Sequence, residues 1–333
     1  MMTAPANKNP STVMVVIAFA TVYLVWGSTY FFIQKAIQHI PALMLGATRF
    51  VAAGLIMLGW CASRKESLWN PQQIKHAAVS GLLLLLIGNG AVIWAEKSLP
   101  SSLVAVLVSS SPIWFVVLDK PKWKENFSSR EILLGLIIGF IGVILLFSEQ
   151  ASKALSQSGN AVQIVGLLIL IIGSMSWAGG SLYAKYNSSG SGTVNTAWQM
   201  LAAGIAFIPG SLVNNEWQTF HLSDVTTESW LSLLYLIFMG SLAGYSAYVW
   251  LLQVRPATQV STYAYVNPVV AVLLGVFFAG EHMTWLQISG LAIILTSVLL
   301  INLAKYRKES VQTKEKAMAP SGKSTLLQRE EVA

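Results

Sequence analysis

Trp94-Ala95-Glu96-Lys97-Ser98-Leu99-Pro100, followed by Pro112, has a counterpart in Trp250-Leu251-Leu252-Gln253-Val254-Arg255-Pro256, followed by Pro268. The step from tryptophan to proline, and then from proline to proline, is the same in both copies, and the copies stand 156 residues apart. Upstream, Ala52-Ala53-Gly54 returns as Ala202-Ala203-Gly204, and Lys35 as Lys185, both at an offset of 150. The surroundings of every copy are apolar. A repeat of this kind in a membrane chain predicts two related bundles enclosing a site that opens alternately to each side.

Composition agrees with a lipid setting. Of 333 residues, 54% are hydrophobic and 11% charged, against roughly 25% charged in a soluble protein. The net charge of +7 does not point to nucleic acid, because the basic residues stand between apolar runs and in the C-terminal stretch, where they act as topology signals. A single cysteine, Cys61, excludes an internal disulfide and a thiolate metal cluster. No cofactor or metal is expected. The apolar run beginning at Val13 reads as a retained first helix, since it is long for a signal peptide and shows no cleavage site.

Runs long enough to span about 30 Å of hydrocarbon lie at 13–34, 42–61, 77–95, 101–118, 132–148, 162–184, 195–213, 229–251, 257–279 and 285–304. Stretches such as Leu82–Ile87 do not alternate, which argues against a β-barrel. The expected fold is an all-α membrane protein of ten transmembrane helices, arranged as two inverted-topology repeats of five. Its segments are a cytoplasmic N-terminal tail (1–12), a first repeat (13–148), a second repeat (162–304) and a disordered cytoplasmic tail (305–333). With the N-terminus inside, 17 of the 21 basic residues fall on the cytoplasmic side. Only Lys35, Lys97 and Lys153 fall outside, so both ends are placed in the cytoplasm. Five spans per half then insert the second half in the opposite sense. The Gly322-Lys323-Ser324 end of a phosphate-loop pattern lacks its first glycine, at Ala317, and is rejected.

No carboxylate falls in mid-span by these boundaries, and the four histidines are scattered. Hydrolase and metalloenzyme signatures are missing, so no catalytic residue is named. Arg49, about 10 Å into the second span at 1.5 Å per residue, needs something to offset its burial. It either holds an anionic group or a gate, or it snorkels and pairs with helix carbonyls. Pro112 and Pro268 are expected as helix kinks inside spans four and nine, freeing the carbonyls of Val108 and Ala264. Polar neighbours of those kinks, Ser110 and Asn267, are then candidates for a cavity wall. Asn89 and Tyr245 form a pair at offset 156 beside glycine-rich stretches. With Trp26, Tyr30, Trp94, Trp177 and Tyr263 they complete the expected substrate cavity. Aromatic faces with few charges suit a small amphiphilic solute and not a phosphorylated one.

The chain resembles the drug/metabolite transporter superfamily and, within it, the ten-helix EamA family. The residues that carry the resemblance are Trp26-Gly27-Ser28-Thr29-Tyr30, Arg49-Phe50, Trp94…Pro100…Pro112 and Pro268…Gly280-Glu281. It extends over about 13–304. The turn after helix four, Asp119–Glu125, is poorer in glycine than the family's usual one. The resemblance implies substrate held centrally by an inverted-repeat bundle, and export as the direction. The expectation is therefore a multi-pass transporter of a bacterial inner membrane, whose partners are the bilayer and a small molecule such as an amino acid, a related compound or a drug. The alternatives are a lipid-modifying or prenyl-transferring enzyme, which needs clustered acids or histidines, and a non-catalytic membrane scaffold, which needs no cavity.

Overall fold

A computed structural model describes residues 11–97, 99, 101–156, 161–279 and 284–318. They form helices and connecting turns, with no strand among the described residues. The principal helices are α1 (Thr12–Ala36), α2 (Ala42–Ser63), α3 (Pro71–Ala95), α4 (Ser101–Val108), α5 (Ser111–Leu118) and α6 (Arg130–Ser156). They continue as α7 (Ala161–Asn187), α8 (Gly192–Val213), α9 (Thr227–Val254), α10 (Ala257–Val260), α11 (Tyr263–Ala279) and α12 (Trp285–Met318). In hydrocarbon every backbone group must be satisfied within its own segment, which is why the apolar runs become helices. Their starts are capped. The Ser11 side chain accepts from the Met14 amide, Asn70 from those of Gln72 and Gln73, Ser191 from Val194, and Thr226 from Ser229.

Among the described residues eight helices are long and apolar enough to cross a bilayer: α1, α2, α3, α6, α7, α8, α9 and α12. The other two predicted spans are each interrupted. Residues 101–118 break at Ser109-Ser110 between α4 and α5, and 257–279 break at Ser261-Thr262 between α10 and α11. The breaks are not equivalent. Pro112 opens α5 directly after its break, so it starts a helix and does not kink one, whereas Pro268 stands inside continuous α11. The carbonyls that the two prolines release are both taken by serines: Val108 accepts from Ser111 Oγ at 2.6 Å, and Ala264 from Ser109 Oγ at 2.7 Å.

At the C-terminus α12 runs on to Met318, where the sequence reading began a disordered tail at 305. The added stretch is rich in Lys and Glu, both good helix formers. The rest of that expected tail, 319–333, and residues 1–10 of the N-terminal one lie outside the described residues.

Two pairs of helices cross through contacts that a fixed sequence offset interchanges. A Cβ on Gly54 of α2 would stand 2.8 Å from the Leu201 amide nitrogen of α8, and one on Gly204 of α8 2.5 Å from that of Val51 on α2. An offset of 150 turns one contact into the other. In α6 and α12, a Cβ on Gly142 would stand 3.0 Å from the Ile294 amide nitrogen and one on Gly290 2.6 Å from that of Leu146. An offset of 148 interchanges these. Small residues let paired helices approach backbone to backbone. The Ala-Ala-Gly repeat thus marks the α2–α8 crossing.

The halves are not two separate bundles, as the sequence reading had them. The first helix of each is lodged in the other half: α1 packs on α9 and α11, and α7 on α3, α4 and α5. The outward sides of the helices carry Ile17, Leu24, Leu55, Ile137, Leu168, Ile172 and Leu299, exposed where a bilayer would cover them.

Candidate functional site

Two helices that line the centre are locally unwound. Leu82–Asn89 of α3 and Leu236–Tyr245 of α9 are π-helical, and they end on the pair Asn89 and Tyr245, 156 residues apart. A π-helix bonds one residue further back than an α-helix, which widens the turn and leaves poorly matched carbonyls; such turns recur at functional sites. Each is met by a tryptophan from the lodged helix of the other half. Cβ atoms on Gly88 and Gly244 would stand 3.1 Å from Trp177 Cβ and 2.7 Å from Trp26 Nε1. Trp26 Nε1 also donates to the Gly240 carbonyl at 3.2 Å.

Between these helices lies a cavity with about 720 Å³ of space not filled by atoms, open solvent included. It reaches from the middle of the bundle toward the end that carries Lys35, the start of α2 and the end of α3. One side is an aromatic cluster. Trp26 packs on Trp177, Tyr248 and Tyr263 with ring centroids 5.4, 4.9 and 5.1 Å away. Trp177 Nε1 donates to the Tyr248 hydroxyl at 3.1 Å, and that hydroxyl also meets Ser181 Oγ at 2.6 Å. Tyr245 donates to Gln199 Oε1 at 2.9 Å, and Gln199 Nε2 to Ser80 Oγ at 2.9 Å. Edge-to-face pairs of this kind contribute roughly 0.5–1.5 kcal/mol each beyond area burial, so this wall is rigid.

The polar groups are few and incompletely used. Arg49 is 4% exposed; its Nε donates to Ser241 Oγ at 2.8 Å, while Nη1 is buried without a partner. Asn89 Oδ1, Asn267 Oδ1 and Ser174 Oγ are likewise buried and unpartnered. All four residues line the cavity. A buried donor or acceptor left unsatisfied costs roughly 1–3 kcal/mol, so these four groups on one cavity wall retain unused hydrogen-bonding capacity.

Of the residues expected from sequence, Trp26, Tyr30, Arg49, Asn89, Trp177, Tyr245, Tyr263 and Asn267 meet around this space. Two do not. Trp94 is half-buried away from the wall. Ser110 spends its hydroxyl on the Leu107 carbonyl at 2.6 Å, and its neighbour Ser111 lines the cavity instead. Sequence reasoning missed Ser174 and Gly173. The absence of any charge in α7 from 161 to 184 left only its aromatic residues, Trp177 among them, to draw attention.

The two ends of the bundle are held differently. At the Lys35 end, Lys35 pairs with Glu228 at 3.0 Å and Lys97 with Glu216 at 3.5 Å. Glu216 also accepts from the Met44 amide at 2.8 Å at the start of α2, where helix polarity favours an anion. At the other end, side chains bond directly across helices. Lys185 donates to the carbonyls of Leu252 and Arg255, Tyr186 to Asp119 Oδ1 at 2.6 Å, and Trp198 to the Leu68 carbonyl at 3.0 Å. Among the described residues no three His, Cys, Asp or Glu side chains gather as for a metal.

A polytopic helical protein with a central, partly open cavity of unsatisfied polar groups defines a membrane transporter. The chain belongs to the EamA-like transporter family, whose model matches residues 13–148 and 164–303. It is 36% identical over 292 residues to the uncharacterized inner membrane transporter YedA of Escherichia coli K12, covering 87% of this chain and 90% of that one. It is also 24% identical over 295 residues to a probable amino-acid metabolite efflux pump of the same strain, covering 84% of this chain and 91% of the pump. A solved crystal structure matches with a TM-score of 0.69 at 15% identity, over 88% of this chain and 99% of that one; it shares the fold.

Proposed function

We propose that this transporter exports a small amphiphilic amino acid, or a compound built like one, by alternating access to a cavity enclosed by two interlocked inverted repeats in a bacterial inner membrane. The single observation that carries the substrate class is the set of unused groups in the cavity. Arg49 Nη1 offers a charged donor to a carboxylate, while Asn89 and Asn267 Oδ1 offer acceptors to an ammonium group. Trp26, Trp177 and Tyr263 supply an apolar face for a side chain. Names of relatives as transporters and amino-acid efflux pumps support the same reading.

The inverted-repeat reading is supported by the interchangeable glycine contacts and the paired π-helical turns. Ten crossings follow if the two interrupted segments cross as broken helices, tolerated because their backbone is buried in protein. The bias of basic residues supports both termini inside and the Lys35 end outside, which makes the described state one in which the cavity lies toward the outer side.

The test is a ligand comparison on purified protein. A ligand that binds only the folded state raises its apparent melting temperature. Phenylalanine is expected to raise it and phenylalaninamide, which lacks the carboxylate, is not. Equal stabilisation by both would overturn the role given to Arg49.

A further inference from the structure

Glu96 follows the last residue of α3, and the sequence reading left it at a span end. In the structure it is 7% exposed and neither carboxylate oxygen has a hydrogen-bond partner among the described residues. The cations of that end are taken: Lys97 by Glu216 at 3.5 Å, and Lys35 by Glu228 at 3.0 Å. The groups around it are few. Tyr30 of α1, which lines the cavity, interacts electrostatically with Glu96. The facing part of α7 and the π-helical turn of α3 contain no charged residue.

We propose that Glu96 is a proton-binding site through which this chain couples transport to proton movement. A carboxyl buried without donors or counter-charge holds its proton, because burial disfavours the ionised form. Burial here pushes the Glu96 carboxyl well above the usual carboxylate range. In the state described the group is a neutral acid. When the Lys35 end rearranges and water reaches Glu96, its O–H bond breaks, the electron pair stays on oxygen and the proton passes to water. Tyr30 belongs to the cavity wall and to the surroundings of Glu96, so filling the cavity is felt at the carboxyl. Sodium fits poorly, since it requires several oxygen ligands and Glu96 has no close polar partner.

The proposal rests on the transporter reading, and two measurements separate them. Infrared spectra of the purified protein in lipid at neutral pH are expected to contain a protonated-carboxyl band that Glu96→Gln removes. A spectrum without that band, or a band that survives the substitution, overturns the site whatever the protein transports. In proteoliposomes, an imposed pH gradient is expected to drive accumulation of labelled phenylalanine by the wild type. The Glu96→Gln protein, whatever its own rate, is expected to respond identically with and without the gradient. Gradient-driven accumulation by Glu96→Gln, or accumulation driven by sodium in place of protons, overturns the proposal. Absence of any phenylalanine exchange by the wild type overturns the substrate reading of the cavity and leaves the infrared result to decide Glu96.

Discussion

Arg49 shows what a single residue tells and what it withholds. Its charge inside an apolar run marks it in the sequence, and the structure gives it one bond, to Ser241, and one idle nitrogen facing the cavity. Leaving a guanidinium half-satisfied costs stability, so its retention suits binding better than folding. Charged hydrogen bonds contribute roughly 1.5–3 kcal/mol, so Arg49→Gln should weaken phenylalanine binding by about 10- to 100-fold. The unliganded protein should melt no lower than the wild type, because an underused buried charge has been removed. Titration calorimetry and a melting curve check both halves of this expectation; a stable protein with unchanged affinity would assign Arg49 to packing alone. Glu96 was harder to see. Hydropathy locates it at a boundary, but only the neighbouring helices decide that no water reaches it. Ser110 and Ser111 differ by one position, about 100° around a helix, and sequence cannot choose between them once the helix between Val108 and Ser111 is broken.

Elements were legible where apolar length alone defines them. The runs 42–61 and 195–213 became α2 and α8 within a few residues, because lipid leaves the backbone no alternative to a helix. The repeated Ala-Ala-Gly was legible as a repeat, and its meaning, a backbone contact between α2 and α8, became plain from the crossing. The π-helical turns were not legible: Leu82–Asn89 is as apolar as an ordinary span, and the extra residue is accommodated only because Trp177 and Trp26 fill the widened turns. The proline breaks were half legible, since local sterics free the carbonyls of Val108 and Ala264 while tertiary contacts decide where the chain bends. The crossing makes its own prediction. Gly204→Leu forces a side chain into the Val51 backbone, and overpacking of this kind costs roughly 1–3 kcal/mol. Its melting temperature should fall clearly, whereas Gly59→Leu, with nothing within 4 Å of a new Cβ, should leave it unchanged. Equal effects would mean that the crossing is not closely packed.

At the scale of the whole molecule, the lodging of α1 and α7 in opposite halves sets what can move. A motion that separates the two sequence halves would tear α1 from α9 and α11, and α7 from α3 and α5. On the proposed mechanism the units that rock would each be built from both halves: α1 with α9 and α11, α7 with α3 to α5. In the state described these units meet on the far side of the cavity from Lys35, where Lys185 of α7 donates to two carbonyls at the end of α9. That tie joins one unit to the other. Lys185→Met keeps the length of the side chain and removes the donors, so the tie is lost while α7 stays packed. The population should shift away from the outward-open state. Val92, half-buried on the cavity wall, reports it: in a Cys61→Ser background, Val92→Cys should react with a membrane-impermeant maleimide added from the Lys35 side. Adding Lys185→Met should slow that labelling in intact cells and speed it in inside-out vesicles. Labelling that is unchanged on both sides would show that the Lys185 tie does not hold the end shut; labelling faster on both sides would show a loosened protein and not an alternating one.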